Sequence, residues 1–198
     1  MSSISGIGGG IGVANVGQMD LETAMMMVQS QRAELLETSM KDQLTAVSNR
    51  NKEIANLNGA LEKLRGLQAA VTGLKDGDKI NDQIKGNDYQ IEREVNQLLS
   101  DGQAQVTGSK DNIGRMTDAK GNTKNAWQGS LNGNYTKAEL TALIESIKGA
   151  IDTKNSSQQM DMLRLQSLTN KRNEAFDLMT NFIKKMQDGR SSIIGNMR

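Results

Sequence analysis

The 198-residue chain contains no cysteine, no histidine and no proline. Without a thiol or an imidazole there is no thiolate nucleophile, no disulfide, no zinc site of the usual kinds and no Ser-His triad. Freedom from cysteine also suits a protein that crosses between redox compartments. The absence of proline favours long uninterrupted helices over sheets with proline-marked turns. Aromatic residues make up 3% of the chain and hydrophobic residues 36%, too few for a large aromatic-filled core. A formal net charge of +1 supplies no field to attract nucleic acid or an anionic membrane surface. No stretch approaches the roughly eighteen apolar residues of a spanning helix, so no direct membrane insertion is expected. The first residues also lack the charged start and apolar run of a secretory signal peptide.

What the chain does have is helical periodicity. From Met160 onward, a ruler of alternating three- and four-residue steps passes through Met162, Leu165, Thr169, Arg172, Phe176, Met179, Ile183, Met186, Arg190, Ile193 and Met197, the pattern of a coiled-coil seam. A helix with one apolar seam cannot bury it alone; it needs a partner helix, another copy of itself, or both. A second ruler fits Leu36, Met40, Gln43, Val47, Arg50, Ile54, Leu57, Leu61, Leu64, Gln68 and Val71. Upstream of it Leu21, Met25, Val28, Arg32 and Leu35 lie one position out of step, which predicts a drift of phase near Leu35. The expected fold is all-α: a long antiparallel helical hairpin or coiled coil with an irregular insert at its tip. Leu36, Val47, Ile54, Leu57, Leu61 and Leu64 would face Met162 and Leu165 across the hairpin. Polar residues on the seams, such as Arg50, Arg172 and Arg190, would fix register and partner choice.

Four regions follow. Residues 1–18 form a Gly/Ser-rich stretch without charge, carrying spaced aliphatics at Ile4, Ile7 and Ile11; it reads either as a flexible leader or as a segment that packs between subunits. Residues 19–75 hold the first long helix, capped by Asp20 and stopped by Gly73 and Gly77. Residues 76–138 are a surface insert, with a short amphipathic helix through Ile91, Val95, Leu98 and Leu99 and room for a strand pair. Within it Trp127 reads as a packing anchor. Residues 139–198 form the return helix, announced by the Thr136-x-x-Glu139 capping box and a Tyr135/Leu140 staple. Its pattern weakens between Lys154 and Gln159, where a bend or a change of partner is expected.

Motifs for chemistry are weak. Asp76, Asp78, Asn81 and Asp82 faintly resemble a calcium loop, but Ile80 occupies a ligand position and the loop glycine and final glutamate do not align. Gly108-Ser109-Lys110 lacks the first glycine of a phosphate loop. Methionines at Met25, Met26, Met27 and along the C-terminal seam fit helix packing better than a promiscuous groove. No metal or cofactor is implied.

The run QQMDMLRLQSLTNKRNEAFDLMTNFIKKMQDGRSSIIGNMR, from Gln158 to Arg198, closely resembles the end of the needle-tip filament proteins of Bordetella-type III secretion systems, and the stretch around Met25 to Leu36, with QRAELL from Gln31, is similar as well. That family is related in role to the EspA-like filament proteins. The resemblance implies export through the secretion apparatus to the outside of the bacterial cell. It further implies polymerisation into a hollow filament between needle and translocation pore, with the needle protein, pore-forming translocators and a cytosolic chaperone as partners. No catalytic residues carry over. On this reading Phe176, Met179, Ile183, Met186, Arg190, Ile193, Ile194 and Met197 form the self-assembly seam, with Ile4, Ile7 and Ile11 as a second contact. The residues alone leave open an intracellular coiled-coil adaptor, or a secretion-associated helical binding protein, that forms no polymer.

Overall fold

The computed structural model describes residues 21–104 and 113–196. The chain is mostly helical, with two long helices packed antiparallel and a small insert between them. Helix α1 runs Leu21–Ala70 and is followed by the short α2, Asn81–Ile84, and by α3, Gly86–Asp101. Strands β1, Ile113–Thr117, and β2, Thr123–Gln128, pair antiparallel, and α4 then runs Lys137–Asn196. The chain divides into two compact units, one formed by residues 44–163 and the other by residues 1–43 with 164–198.

The unit of residues 44–163 holds the core. Leu57, Leu61 and Leu64 of α1 and Val71 just beyond it are buried with Leu140, Leu143, Ile144, Ile147 and Ile151 of α4. The insert carries the expected short helix and a strand pair, but it buries more than expected: Ile80, Ile84, Val95, Leu99, Leu131 and Tyr135 complete the same core, and Trp127 packs against it. Composition alone understates this burial, because a few well-spaced apolar side chains carry it among many small polar residues. The end of α1 is sewn to the start of α4 by main-chain bonds: the amide of Ile80 donates to the Tyr135 carbonyl, that of Lys137 to Asp78 and that of Ala138 to Asp76. The side chain of Lys137 also donates to the carbonyls of Thr72 and Leu74 (2.7 Å for the latter), capping chain that α1 leaves unpaired. The capping box is formed, with the Glu139 carboxylate accepting from the Thr136 amide at 2.8 Å and the Thr136 hydroxyl accepting from the Glu139 amide at 3.2 Å. Tyr135 and Leu140, the two halves of the staple, are both buried.

The calcium-like cluster is divided: Asp76 and Asp78 lie in the turn after α1, where Asp78 accepts a hydrogen bond from the Lys75 amide at 2.8 Å, and Asn81 and Asp82 open α2. Among the described residues no group of three or more acidic side chains is placed to hold a metal ion. No helix among them is long and apolar enough to cross a membrane.

The heptad rulers are longer and simpler than the sequence suggested. On α1 one covered ruler passes through Met26, Gln29, Ala33, Leu36, Met40, Gln43, Val47, Arg50, Ile54, Leu57, Leu61, Leu64 and Gln68 to Val71 just beyond the helix, without a break in step. The drift near Leu35 does not occur: Met25, Val28, Arg32 and Leu35 are exposed, and the small or polar Ala33 and Gln29 keep the phase in their place. On α4 one ruler passes through Leu140, Ile144, Ile147, Ile151, Lys154, Gln158, Asp161, Leu165, Leu168, Arg172, Ala175, Met179, Phe182 and Met186. Its apparent weakening at Lys154–Gln159 marks a polar stretch within a continuous helix. There Lys154 pairs with Glu53 at 2.8 Å, Asp161 with Arg50 at 2.8 Å, and the Gln158 amide donates to Asn51.

Candidate assembly surface

Two parts of the molecule carry more than packing demands. The first is the polar clasp that seats the β-hairpin on α3. Asn96 is wholly buried, with its amide donating to the carbonyls of Arg115 (2.9 Å) and Leu131 (2.8 Å) and its oxygen accepting from the Leu131 amide at 2.9 Å. Glu92, also wholly buried, accepts from the Arg115 amide at 2.8 Å and from its guanidinium at 3.2 Å. Burial pushes the Glu92 carboxyl above its ordinary value, against the opposing pull of the Arg115 amide and charge. Arg115 in turn lies over the Tyr89 ring, 4.0 Å from its centroid. Ser130 accepts from the Gly114 amide at 2.7 Å where the strand register slips, so the donor freed by the irregularity is satisfied. The Tyr135 hydroxyl donates to the Gly129 carbonyl, and burial with the nearby Glu139 charge raises its pKa to about 12, which keeps the phenol a donor. Everything in this clasp is paired internally, as a structural fastening requires.

The sequence reading missed Glu92 and Asn96. The visible sign was their spacing: four apart, interleaved with Val95 and Leu99, they share the inward face of α3.

The second part is the unit built from the two ends of the long helices. Among its described residues only Ala33, Gln43 and Ala175 are buried. Its larger apolar side chains are half-covered or exposed, the exposed ones including Met25, Val28, Leu35, Phe176, Leu178, Ile183 and Ile194. The expected C-terminal seam separates into two stripes. Leu165, Arg172, Met179 and Met186 lie on the covered face, joined by Leu168, Ala175 and Phe182. Phe176 is 39% exposed and Ile183 38%, on an adjacent stripe that also holds Met162 at 53% and the exposed Arg190. A four-then-three stepping and a three-then-four stepping share every other position, and the larger side chains at 176 and 183 favoured the wrong one. Packing prefers the alanine at 175. Of the other positions named for assembly, Ile194 is exposed, while Ile4, Ile7, Ile11, Met197 and the side chain of Ile193 lie outside what is described.

Between the first turns of α1 and the facing part of α4 lies an apolar groove of about 200 Å³, walled by Met25, Met26, Leu178, Met179 and Phe182 with Gln29 and Lys185 at its polar edge. A second depression, of about 250 Å³, involves Met26, Ile183, Met186 and Arg190.

No protein-family model, curated protein or solved structure matches the chain.

Proposed function

We propose that the protein is a self-assembling structural subunit of a helical filament, of the type III secretion needle-tip kind, acting as a conduit outside the bacterial cell. The observation that carries the reading is the imbalance between the two units. One closes a full apolar core, whereas the other leaves large apolar side chains such as Leu35, Leu178, Phe176 and Ile183 between about two-fifths and two-thirds exposed. Apolar side chains left part-exposed in number on one unit are a feature of association sites. A stripe on one copy that meets a different surface on the next is heterologous, and heterologous contacts that do not close generate helical polymers. The resemblance of the Gln158–Arg198 run supplies the particular filament. By that resemblance the partners are further copies of the chain, the needle protein, the pore-forming translocators and a cytosolic chaperone.

The test uses Phe176→Asp with Ile183→Asp. Because both side chains lie outside the covered rulers, the double variant is expected to keep its helical circular dichroism while losing the filaments formed by the wild-type chain in negative-stain images and sedimentation. Normal filaments from the variant, or a wild-type chain that stays monomeric under all assembly conditions, would reject the proposal. The second outcome would favour the adaptor reading.

A further inference from the structure

We infer that the apolar methionine groove is the docking site of the chain's own first residues, the aliphatic positions Ile11, Val13 and Val16 being its occupants. Three observations converge on this segment. The groove opens beside the first turns of α1, with Met25 only four residues beyond Leu21, where residues 1–20 join the helix. Val16 has about 17 Å of chain between itself and Leu21, at roughly 3.4 Å per residue. Gln29, at the far end of the groove wall, lies about 12 Å along the helix from the same point. The length of chain is therefore sufficient to reach along the α1 wall of the groove, and the tether supplies an effective concentration in roughly the millimolar range, far above that of a second copy in dilute solution.

The chemistry also matches. Residues 1–19 carry no charged side chain while including isoleucine and valine at intervals, and the groove is walled by methionine, leucine and phenylalanine with Gln29, Asn181 and Lys185 as its polar members. Methionine side chains adapt to irregular aliphatic partners, so a glycine-interrupted strip needs no fixed secondary structure to fit. Lastly, the Gln29 side-chain oxygen on the groove wall is shielded from water yet has no hydrogen-bond donor among the described residues. A buried acceptor of this kind ordinarily has a partner, and a main-chain amide of the docked segment would provide one.

The absence of native cysteine makes the test clean, because any disulfide must join introduced residues. Val13→Cys is combined with Asn181→Cys, which lines the groove, or with Ser30→Cys, which is exposed, lies next to Gln29 in sequence and does not line the groove. The tether to position 30 is as short as that to the groove, so proximity alone predicts equal rates. Docking predicts intrachain oxidation of the Asn181 pair at least about fivefold faster than of the Ser30 pair at low micromolar protein, a ratio that reflects local concentration at the groove. A second readout replaces Ile11, Val13 and Val16 by serine. Methyl NMR signals of Met25, Met26 and Met179 are expected to shift while those of Met160 and Met162 stay in place. Equal oxidation rates with unmoved methionine signals would overturn the inference, and so would crosslinks that form only between chains. Filament formation is scored separately, so failure to polymerise bears on the proposed function and leaves this measurement intact.

Discussion

At the scale of single residues, the clasp holding the β-hairpin gives the sharpest expectations. Glu92 is fully shielded and its carboxyl titrates above the ordinary range. The folded chain therefore holds that proton to higher pH than the unfolded chain does. The stability contributed by this proton linkage is complete below the unfolded pKa and is lost as pH rises through the folded one. Glu92→Gln keeps an oxygen to accept from the Arg115 amide and removes the titration. Its stability relative to wild type, from urea unfolding at about pH 4 and about pH 7, is expected to improve toward the higher pH. A relative stability that worsens from the lower to the higher pH would contradict this account. Glu92→Ala, which strips the Arg115 amide of its acceptor, is expected to cost about 1–3 kcal/mol. Glycines separate in the same way by their surroundings. A Cβ at Gly114 would run into the Leu131 carbonyl and the Asn96 amide, whereas at Gly66, inside α1, it would meet nothing. Gly114→Ala is thus expected to destabilise by about 1–3 kcal/mol, and Gly66→Ala to stabilise by about 0.5–1 kcal/mol, both read from thermal melting.

At the scale of elements, the long helices, the capping box at Thr136 and Glu139 and the short α3 were legible, because period and capping chemistry are local properties of sequence. The phase of the rulers was only half legible. Arg50, Lys154, Gln158 and Asp161 interrupt the apolar pattern, and only the facing helix shows that they come in matched pairs. Read alone, each looked like a weakening; read across the interface, they are complementary groups that reject a shifted alignment. Alanines 33 and 175 were invisible for a different reason, since a small residue scores low in any hydrophobic ruler although it packs best where two backbones come close. The matching of charges can be measured. Glu53→Lys alone is expected to destabilise by placing two lysines together in a pair whose side chains are only 19% and 18% exposed. Lys154→Glu added to it is expected to recover most of the loss, giving a coupling of about 1 kcal/mol in a double-mutant cycle. Zero coupling would mean that these ions decorate the seam and do not set its register.

At the scale of the whole molecule, the two units differ in how much apolar surface each can cover, and local stability follows burial. Amides around Leu57–Val71 and Leu140–Ile151 are expected to exchange with solvent only on global unfolding of the monomer. Those of residues 23–43 and 164–190 should exchange earlier and gain protection on self-association. Uniform protection along both long helices of a monomer would contradict that division. The layout of the units along the chain has a further consequence, one of timing. Residues 44–163 are a single uninterrupted stretch, so their unit can form while the polypeptide is still emerging from a ribosome or from a narrow channel, before anything beyond residue 163 is present. The other unit is assembled from the two extremities and cannot begin until the last segment has been delivered. By then the first unit has already joined the intervening chain into a closed loop, so the entropy of bringing the extremities together has largely been met in advance. The surface proposed here for association is therefore the last part of the molecule to come into being.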